Sequence, residues 1–336
     1  MKFGLFGGAI ARRGDETPDS QGYGRLIDLV QEAEGLGYHS IFLVEHHFTG
    51  AGQVSATLNL LTYLAAKTER IRLGTAVTVL PWHNPVLLAE QAATLDLLSR
   101  GRLDFGIGKG YRDVEFESFR IPKEEAQERF DESLELILRS WTSDERFSHD
   151  GKYWQYSDIV VEPPVLQKPH PPLWTGAGTD ESIARVAGAG LNVLFDQFAG
   201  FPRTEERLRV WRAACARTGR PFDPMQVGLA RAVVITEDMR EYEAAVRARE
   251  QRVARMVGAY GALPGVAGTQ PETYAERGRA SDALIGDPDA VLARLRQLQE
   301  MGFEYILVLL PDDVDTLRRF AREIMPELRG EKVPAE

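Results

Sequence analysis

Short, nearly continuous apolar runs recur along the chain, at residues 3–6, 41–44, 71–80, 103–107, 173–177, 191–195, 227–235 and 305–310. Runs this short, β-branched in part and apolar on both sides, predict strands buried on both faces, as in a parallel sheet. Helical spacing fills the gaps between them. Leu26, Leu29, Val30 and Ala33 lead to a stop at Gly35 and Gly37. Leu58, Leu61 and Leu64 mark the next helix, and Leu87, Leu88, Ala92, Leu95 and Leu98 another that ends near Gly101. Residues 123–141 carry Phe130, Leu134, Ile137 and Leu138 on one side, and later helices are predicted through Ala189, around Leu208 and Trp211, from Asp238, over 287–301 and over 314–324. Asp287 can cap the helix over 287–301, Pro288 suits its first turn and Gly302 stops it. Eight strands, each followed by a helix, predict a closed α/β barrel of the (β/α)8 TIM type, although a doubly wound open sheet shares the alternation. Two stretches interrupt the rhythm. The proline-rich segment 143–172 predicts an insertion before strand five, and the Gly-, Pro- and Ala-rich segment 257–285 an insertion or mobile lid between strands seven and eight. The expected organisation is one domain over 1–336.

Composition narrows the partners more than the fold. Of 336 residues, 43% are hydrophobic and 27% charged, which suits a water-soluble protein with a sizeable core. A formal net charge of −10 argues against nucleic acid or an anionic membrane as the main partner, while leaving room for a local phosphate pocket. Cys215 is the only cysteine, so no internal disulfide and no cysteine-based metal cluster can form. The apolar stretch at Met1 is too short for a signal peptide and nothing approaches a membrane span, so a cytoplasmic location is expected.

In a barrel every strand ends at one mouth, where the chemistry of such folds sits. The strand-end polar groups are Glu45, His46 and His47 after strand two, Thr75 and Thr78 on strand three, and Lys109 and Tyr111 after strand four. Strand five adds Thr179 and Ser182, and strand six Asp196 and Gln197. Successive strand residues face opposite ways, so only one of His46 and His47 can look into the mouth. Gly178, Thr179 and Ser182 lie where a strand turns into a helix, a natural anion site, and Lys109 between glycines can supply a cation. Together they describe a phosphate cradle; separately, a Thr before a helix is usually a cap and a Gly-Lys-Gly a solvated turn. The run 106–110 lacks the spacing of a dinucleotide fingerprint. A metal site is not expected, because adjacent histidines diverge, His39 starts its strand at the wrong end, and His83 is the one further histidine near a strand end. Arg231, inside strand seven, is open between a site cation and a barrel-bottom ion pair.

Taken in order, Met1-Lys2-Phe3-Gly4, Glu45-His46-His47-Phe48-Thr49, Gly74-Thr75-Ala76-Val77, Leu80-Pro81, Ser99-Arg100-Gly101-Arg102 and Phe105-Gly106-Ile107 resemble the bacterial luciferase-like flavin monooxygenases. The likeness continues to Gly286-Asp287-Pro288 and Met325-Pro326-Glu327-Leu328. The resemblance implies a barrel that binds reduced FMN, delivered by a separate flavin reductase, whose reaction with O2 gives a C4a-(hydro)peroxyflavin that oxygenates a small organic substrate. It implies His46 as the catalytic histidine, a base that supports the peroxyflavin. The implied cofactor contacts are Glu45, Thr75, Ala76, Val77, Lys109, Tyr111, Gly178, Thr179, Ser182 and Gln197. Among these, Ala76-Val77 matches a non-proline cis peptide beneath the flavin ring. Lys109 stands where luciferase has a phosphate-binding arginine, which keeps the charge without the bidentate fork. Gly178 replaces an acidic residue of the phosphate turn, Gly108 replaces luciferase's reactive cysteine, and Gln197 replaces a tryptophan near the ring. These departures weaken light emission or an aldehyde substrate as readings. A homodimer through the helices after strands two and three is also implied. Two alternatives are an F420-dependent hydride-transfer enzyme of the same superfamily and a non-catalytic flavin-binding barrel.

Overall fold

All eight apolar runs form parallel strands: β1 (Lys2–Gly7), β2 (Ser40–Leu43), β3 (Arg72–Thr75), β4 (Leu103–Gly108), β5 (Leu173–Gly176), β6 (Asn192–Phe195), β7 (Val227–Arg231) and β8 (Tyr305–Leu309). The structure, a computed structural model, describes residues 1–11, 21–50, 52–260, 283–309 and 313–329. The hydrogen-bonded strand order is β3-β2-β1-β8-β7-β6-β5-β4, and a β3–β4 pairing closes it. Neighbours in sequence are therefore neighbours in the sheet, with helices between them, which is the (β/α)8 barrel. Among the described residues no helix is long and apolar enough to cross a membrane.

The chain divides into two compact units. One comprises Gly7–Gln31 and Ser40–Thr175 and contains β2 to β5. Here Ile41, Phe42 and Leu43 are fully buried, as their unbroken apolar run requires, and Gly74 on β3 is glycine because a Cβ would collide with the Phe42 ring. The expected long third strand is interrupted: β3 stops at Thr75, the Ala76–Val77 peptide is cis, and pairing with β4 resumes at Thr78–Val79. Segment 143–172 is less featureless than its proline content suggests. It holds an antiparallel hairpin, Phe147–Asp150 with Gln155–Ile159, and cis bonds at Glu162–Pro163 and Lys168–Pro169. Buried Asp96 anchors its return by accepting from the Leu166 and Gln167 amides, both at 2.8 Å, and from Gln167 Nε2 at 2.7 Å.

The other unit comprises Met1–Phe6, Glu32–His39 and Gly176–Glu336 and contains β1, β6, β7 and β8. Phe3 of β1 meets Phe320 edge-on at 5.1 Å, and Trp211 is fully buried. Helix Pro288–Met301 has the expected punctuation: the Asp287 carboxylate accepts from the Ala290 amide and Gly302 takes a left-handed φ of 106°. Strand seven is shorter than its apolar run. β7 ends at Arg231, and Val233–Ile235 pairs instead with Leu284–Gly286 in a separate two-stranded sheet. That pairing corrects both ends of the expected lid. Helix Met239–Tyr260 takes in residues 257–260, and Leu284 and Ile285 are buried strand residues. The remainder of the expected lid, 261–282, lies outside the described residues.

Candidate functional site

β2 ends at Leu43, and the next four residues carry the titratable cluster. The backbone is fixed by Val44 N–H to Gly7 O at 2.9 Å and His46 N–H to Val54 O at 2.9 Å. Glu45 and His46 then face different neighbours, as alternation along an extended chain demands.

The Glu45 carboxylate is 4% exposed. Its Oε1 receives His83 Nε2 at 2.9 Å, His47 Nε2 at 3.2 Å, Trp82 Nε1 at 3.2 Å and the Val79 amide at 3.4 Å. Burial alone would raise its pKa, but the hydrogen bonds and charge of His47 and His83 outweigh it and hold the group at about 2.

His46 is gripped through both ring nitrogens. Arg112 Nη2 lies 3.1 Å from Nε2, and Glu115 Oε1 lies 3.2 Å from Nδ1. Since a guanidinium can only donate and a carboxylate only accept, the imidazole is the neutral Nδ1–H tautomer. Burial pushes the His46 pKa down; the hydrogen bond to Glu115 opposes this and the Arg112 charge adds to it. Glu115 is itself 1% exposed and also accepts the His47 amide at 2.9 Å. Both partners come from helix Asp113–Phe119 or the residue before it. Sequence reasoning missed this helix because seven residues show too little periodicity to register. The available signal was Phe116 and Phe119, one turn apart and both packed on Trp82, at 5.4 Å and 5.1 Å.

The other expected site residues of this unit have unequal roles. Lys109 is exposed and, among the described residues, makes no hydrogen bond or ion pair. Tyr111 lies under the Arg112 guanidinium at 5.6 Å, and its hydroxyl accepts from Arg112 Nε at 3.3 Å. Thr75 is buried, its hydroxyl donating to Gly106 O at 2.6 Å, which makes it a strand-to-strand tie. Ala76 and Val77 flank the cis peptide. A Cβ at Gly108 would collide with the Val77 side chain, which fills the space beside that glycine.

In the second unit, Gly178, Thr179 and Ser182 engage one another. Thr179 caps helix Asp180–Gly188 by accepting from the Ser182 amide, and Ser182 Oγ accepts from the Gly178 and Thr179 amides at 3.2 and 3.1 Å. Arg207, 2% exposed, braces the turn through Gly178 O at 3.1 Å and the Asp196 carboxylate at 2.8 Å. Gln197 accepts from Arg249 through its side chain at 3.3 Å and its backbone at 3.2 Å. Arg231, read from sequence as either a site cation or an ion-pair partner, braces a loop. It is fully buried and donates to Asp196 O, Ala199 O and Thr204 Oγ1 at 3.1, 3.0 and 2.6 Å, holding the loop after β6.

Comparisons with known proteins place these features in a family. A flavin-dependent trigonelline monooxygenase, oxygenase component, from Acinetobacter baylyi is 27% identical over 356 aligned positions, spanning 99% of this chain and 97% of that protein. The crystal structure of monooxygenase RslO1 from Streptomyces bottropensis superposes with a TM-score of 0.84 at 26% identity, covering 97% of this chain and 99% of the other. An F420-dependent secondary alcohol dehydrogenase shares the fold at a TM-score of 0.76 and 16% identity, over 98% and 99% of the two chains. The luciferase-like monooxygenase profile matches residues 1–305, and the chain belongs to that family.

Proposed function

We propose that this protein is the oxygenase of a two-component flavin-dependent monooxygenase, taking reduced FMN from a separate reductase and inserting oxygen into a small organic substrate. Membership of the luciferase-like monooxygenase family supports the class. The observation that carries the residue assignment is His46, a neutral imidazole just past a strand end, held between a buried carboxylate and a buried guanidinium. Reduced flavin, when bound, supplies the two electrons that activate O2. The residues fit such a ligand in one respect directly: Lys109 is an exposed ammonium, unpaired among the described residues and suited to a phosphate. The turn 178–182 fits less well, because its hydroxyls and amides already satisfy one another, and Asp180 and Glu181 occupy the first helical turn. We therefore assign the phosphate to Lys109 first.

His46 acts as the proton-handling group, with Glu115 fixing its tautomer and Arg112 holding Nε2. Proton abstraction at Nε2 requires Arg112 to release that atom. We also assign a homodimer through helices Thr57–Lys67 and Pro85–Leu98. Pro85–Leu98 buries Leu88, Ala92 and Leu95 yet leaves Leu87 55% and Leu98 60% exposed, so it is apolar on two sides.

The test is anaerobic titration with photoreduced FMN, followed by rapid mixing with oxygenated buffer in wild type and His46→Ala. The expected result is tight binding of reduced FMN and an oxygen adduct whose lifetime shortens in the variant, with turnover down about 100-fold or more. Tight F420 binding with weak FMN binding selects hydride transfer instead. Stable flavin binding without turnover, indifferent to His46→Ala, selects a non-catalytic barrel.

A further inference from the structure

We propose that Glu45, His47 and His83 form a binding site for a single divalent ion of the zinc class, in which Glu45, implied by the resemblance as a flavin contact, is instead a metal ligand. Two imidazoles and one carboxylate are a donor set suited to Zn2+, Ni2+ or Co2+. The spacing suits it too. Glu45 Oε1 lies 2.9 Å from His83 Nε2 and 3.2 Å from His47 Nε2, and all three donor atoms lie within 4.8 Å of one another. Tetrahedral zinc with bonds of about 2.0–2.1 Å sets adjacent donors about 3.3 Å apart, so two edges of the tetrahedron already have nearly the right length.

The surroundings are those of a ligand site. The Glu45 side chain is 2% exposed, while His47 and His83 are 15% and 29% exposed, so the cluster is open on the histidine side, where a water or an anion can take the fourth position. Trp82 Nε1–H and the Val79 amide orient the carboxylate, as outer partners do for ligating carboxylates. The rings of Phe48, Trp82 and Phe119 enclose His47 at 5.8, 5.8 and 5.1 Å. His46 is excluded as a ligand because both its nitrogens are engaged by Glu115 and Arg112. The divergence of adjacent histidines, which argued against a metal when they were considered as a pair, sends His47 alone toward the carboxylate. The third ligand, His83, directly follows the short turn Leu80–Trp82, 38 positions further along the chain than Glu45.

Metal-stripped full-length protein titrated with Zn2+ against a chromophoric chelator tests this, with Co2+ as a coordination probe. The expected result is one equivalent bound per chain and an intense visible Co2+ spectrum of tetrahedral type. His47→Gln and His83→Gln should each weaken binding more than about 10-fold, since even losing an outer-shell partner typically has that effect. His149→Gln, at the separate His149–Glu132 pair, should leave it unchanged. Absence of stoichiometric binding, or equal affinity in all three variants, overturns the site. Should a variant misfold, an anomalous difference map at the zinc edge from zinc-soaked wild-type crystals decides instead, and a peak anywhere but at this triad overturns it.

Discussion

At the residue scale, the two carboxylates beside the paired histidines have opposite tasks. Glu115 raises the His46 pKa and Arg112 lowers it, with burial the largest influence, so the net value lies below the ordinary 6.5. The base form of His46 should therefore persist below pH 6.5, and the acidic limb of the pH–activity profile should lie there. Glu115→Gln removes a raising influence and should move that limb further down; Arg112→Gln removes a lowering one and should move it up. Shifts in the same direction would count against the assignment. Glu45 carries a stability prediction. Its folded pKa of about 2 lies below its ordinary 4.5, so its contribution is complete above pH 4.5 and disappears as the pH falls toward 2. A displacement of roughly 2.5 pH units at about 1.4 kcal/mol each is worth roughly 3 to 4 kcal/mol. Acid unfolding of metal-free Glu45→Gln should lack that pH dependence; a slope equal to wild type would refute the assignment. Glu45 and His46 were legible in the sequence because they end an apolar run. Arg112 and Glu115 were not, since each reaches the cluster from another element and nothing in local spacing announces a contact across 66 to 69 positions; His83 stood out as a histidine near a strand end, but its contact with Glu45 did not.

At the scale of elements, strands were read well and their interruptions poorly. A continuous apolar run signals a doubly buried strand, which is why all eight were found, but it does not mark where pairing stops. The run 71–80 hides the cis peptide between Ala76 and Val77, and the run 227–235 hides a change of sheet after Arg231. The resemblance placed the cis peptide where periodicity could not. Glycines show how tightly these elements meet. A Cβ on Gly106 of β4 would collide with the Thr75 carbonyl of β3, a backbone atom that cannot step aside, whereas a Cβ on Gly176 would meet nothing within 4 Å. Gly106→Ala should cost about 4 kcal/mol or more, in the range reserved for severe steric or core disruption. Gly176→Ala should stay within about 0.5 kcal/mol. Denaturant midpoints of the two variants check the contrast, and similar values for both would mean that β3 and β4 approach less closely than described.

For the whole molecule the remaining question is its association state, where the sequence left one stripe with two explanations. Leu87, Leu88, Ala92 and Leu95 were equally compatible with packing on the barrel and with a partner. The structure separates them: Leu88, Ala92 and Leu95 are buried within the chain, while Leu87 and Leu98 are 55% and 60% exposed and Tyr63, on the preceding helix, is 49% exposed. Single exposed apolar residues are ordinary on protein surfaces, but a helix whose leucines extend from the buried face onto an exposed flank calls for cover on both. In the homodimer we propose, a second copy of the chain would supply that cover through a self-complementary patch. Leu87→Glu combined with Leu98→Glu should convert a dimer into a monomer in sedimentation or light scattering. The thermal transition of the double variant should become insensitive to protein concentration, since association stabilises only the assembled fold by mass action. Both positions are more than half exposed, so the far-ultraviolet dichroism should be unchanged. A wild type that is monomeric at micromolar concentration, or a double variant that sediments as wild type does, would remove these helices as the interface and leave their exposed leucines unexplained.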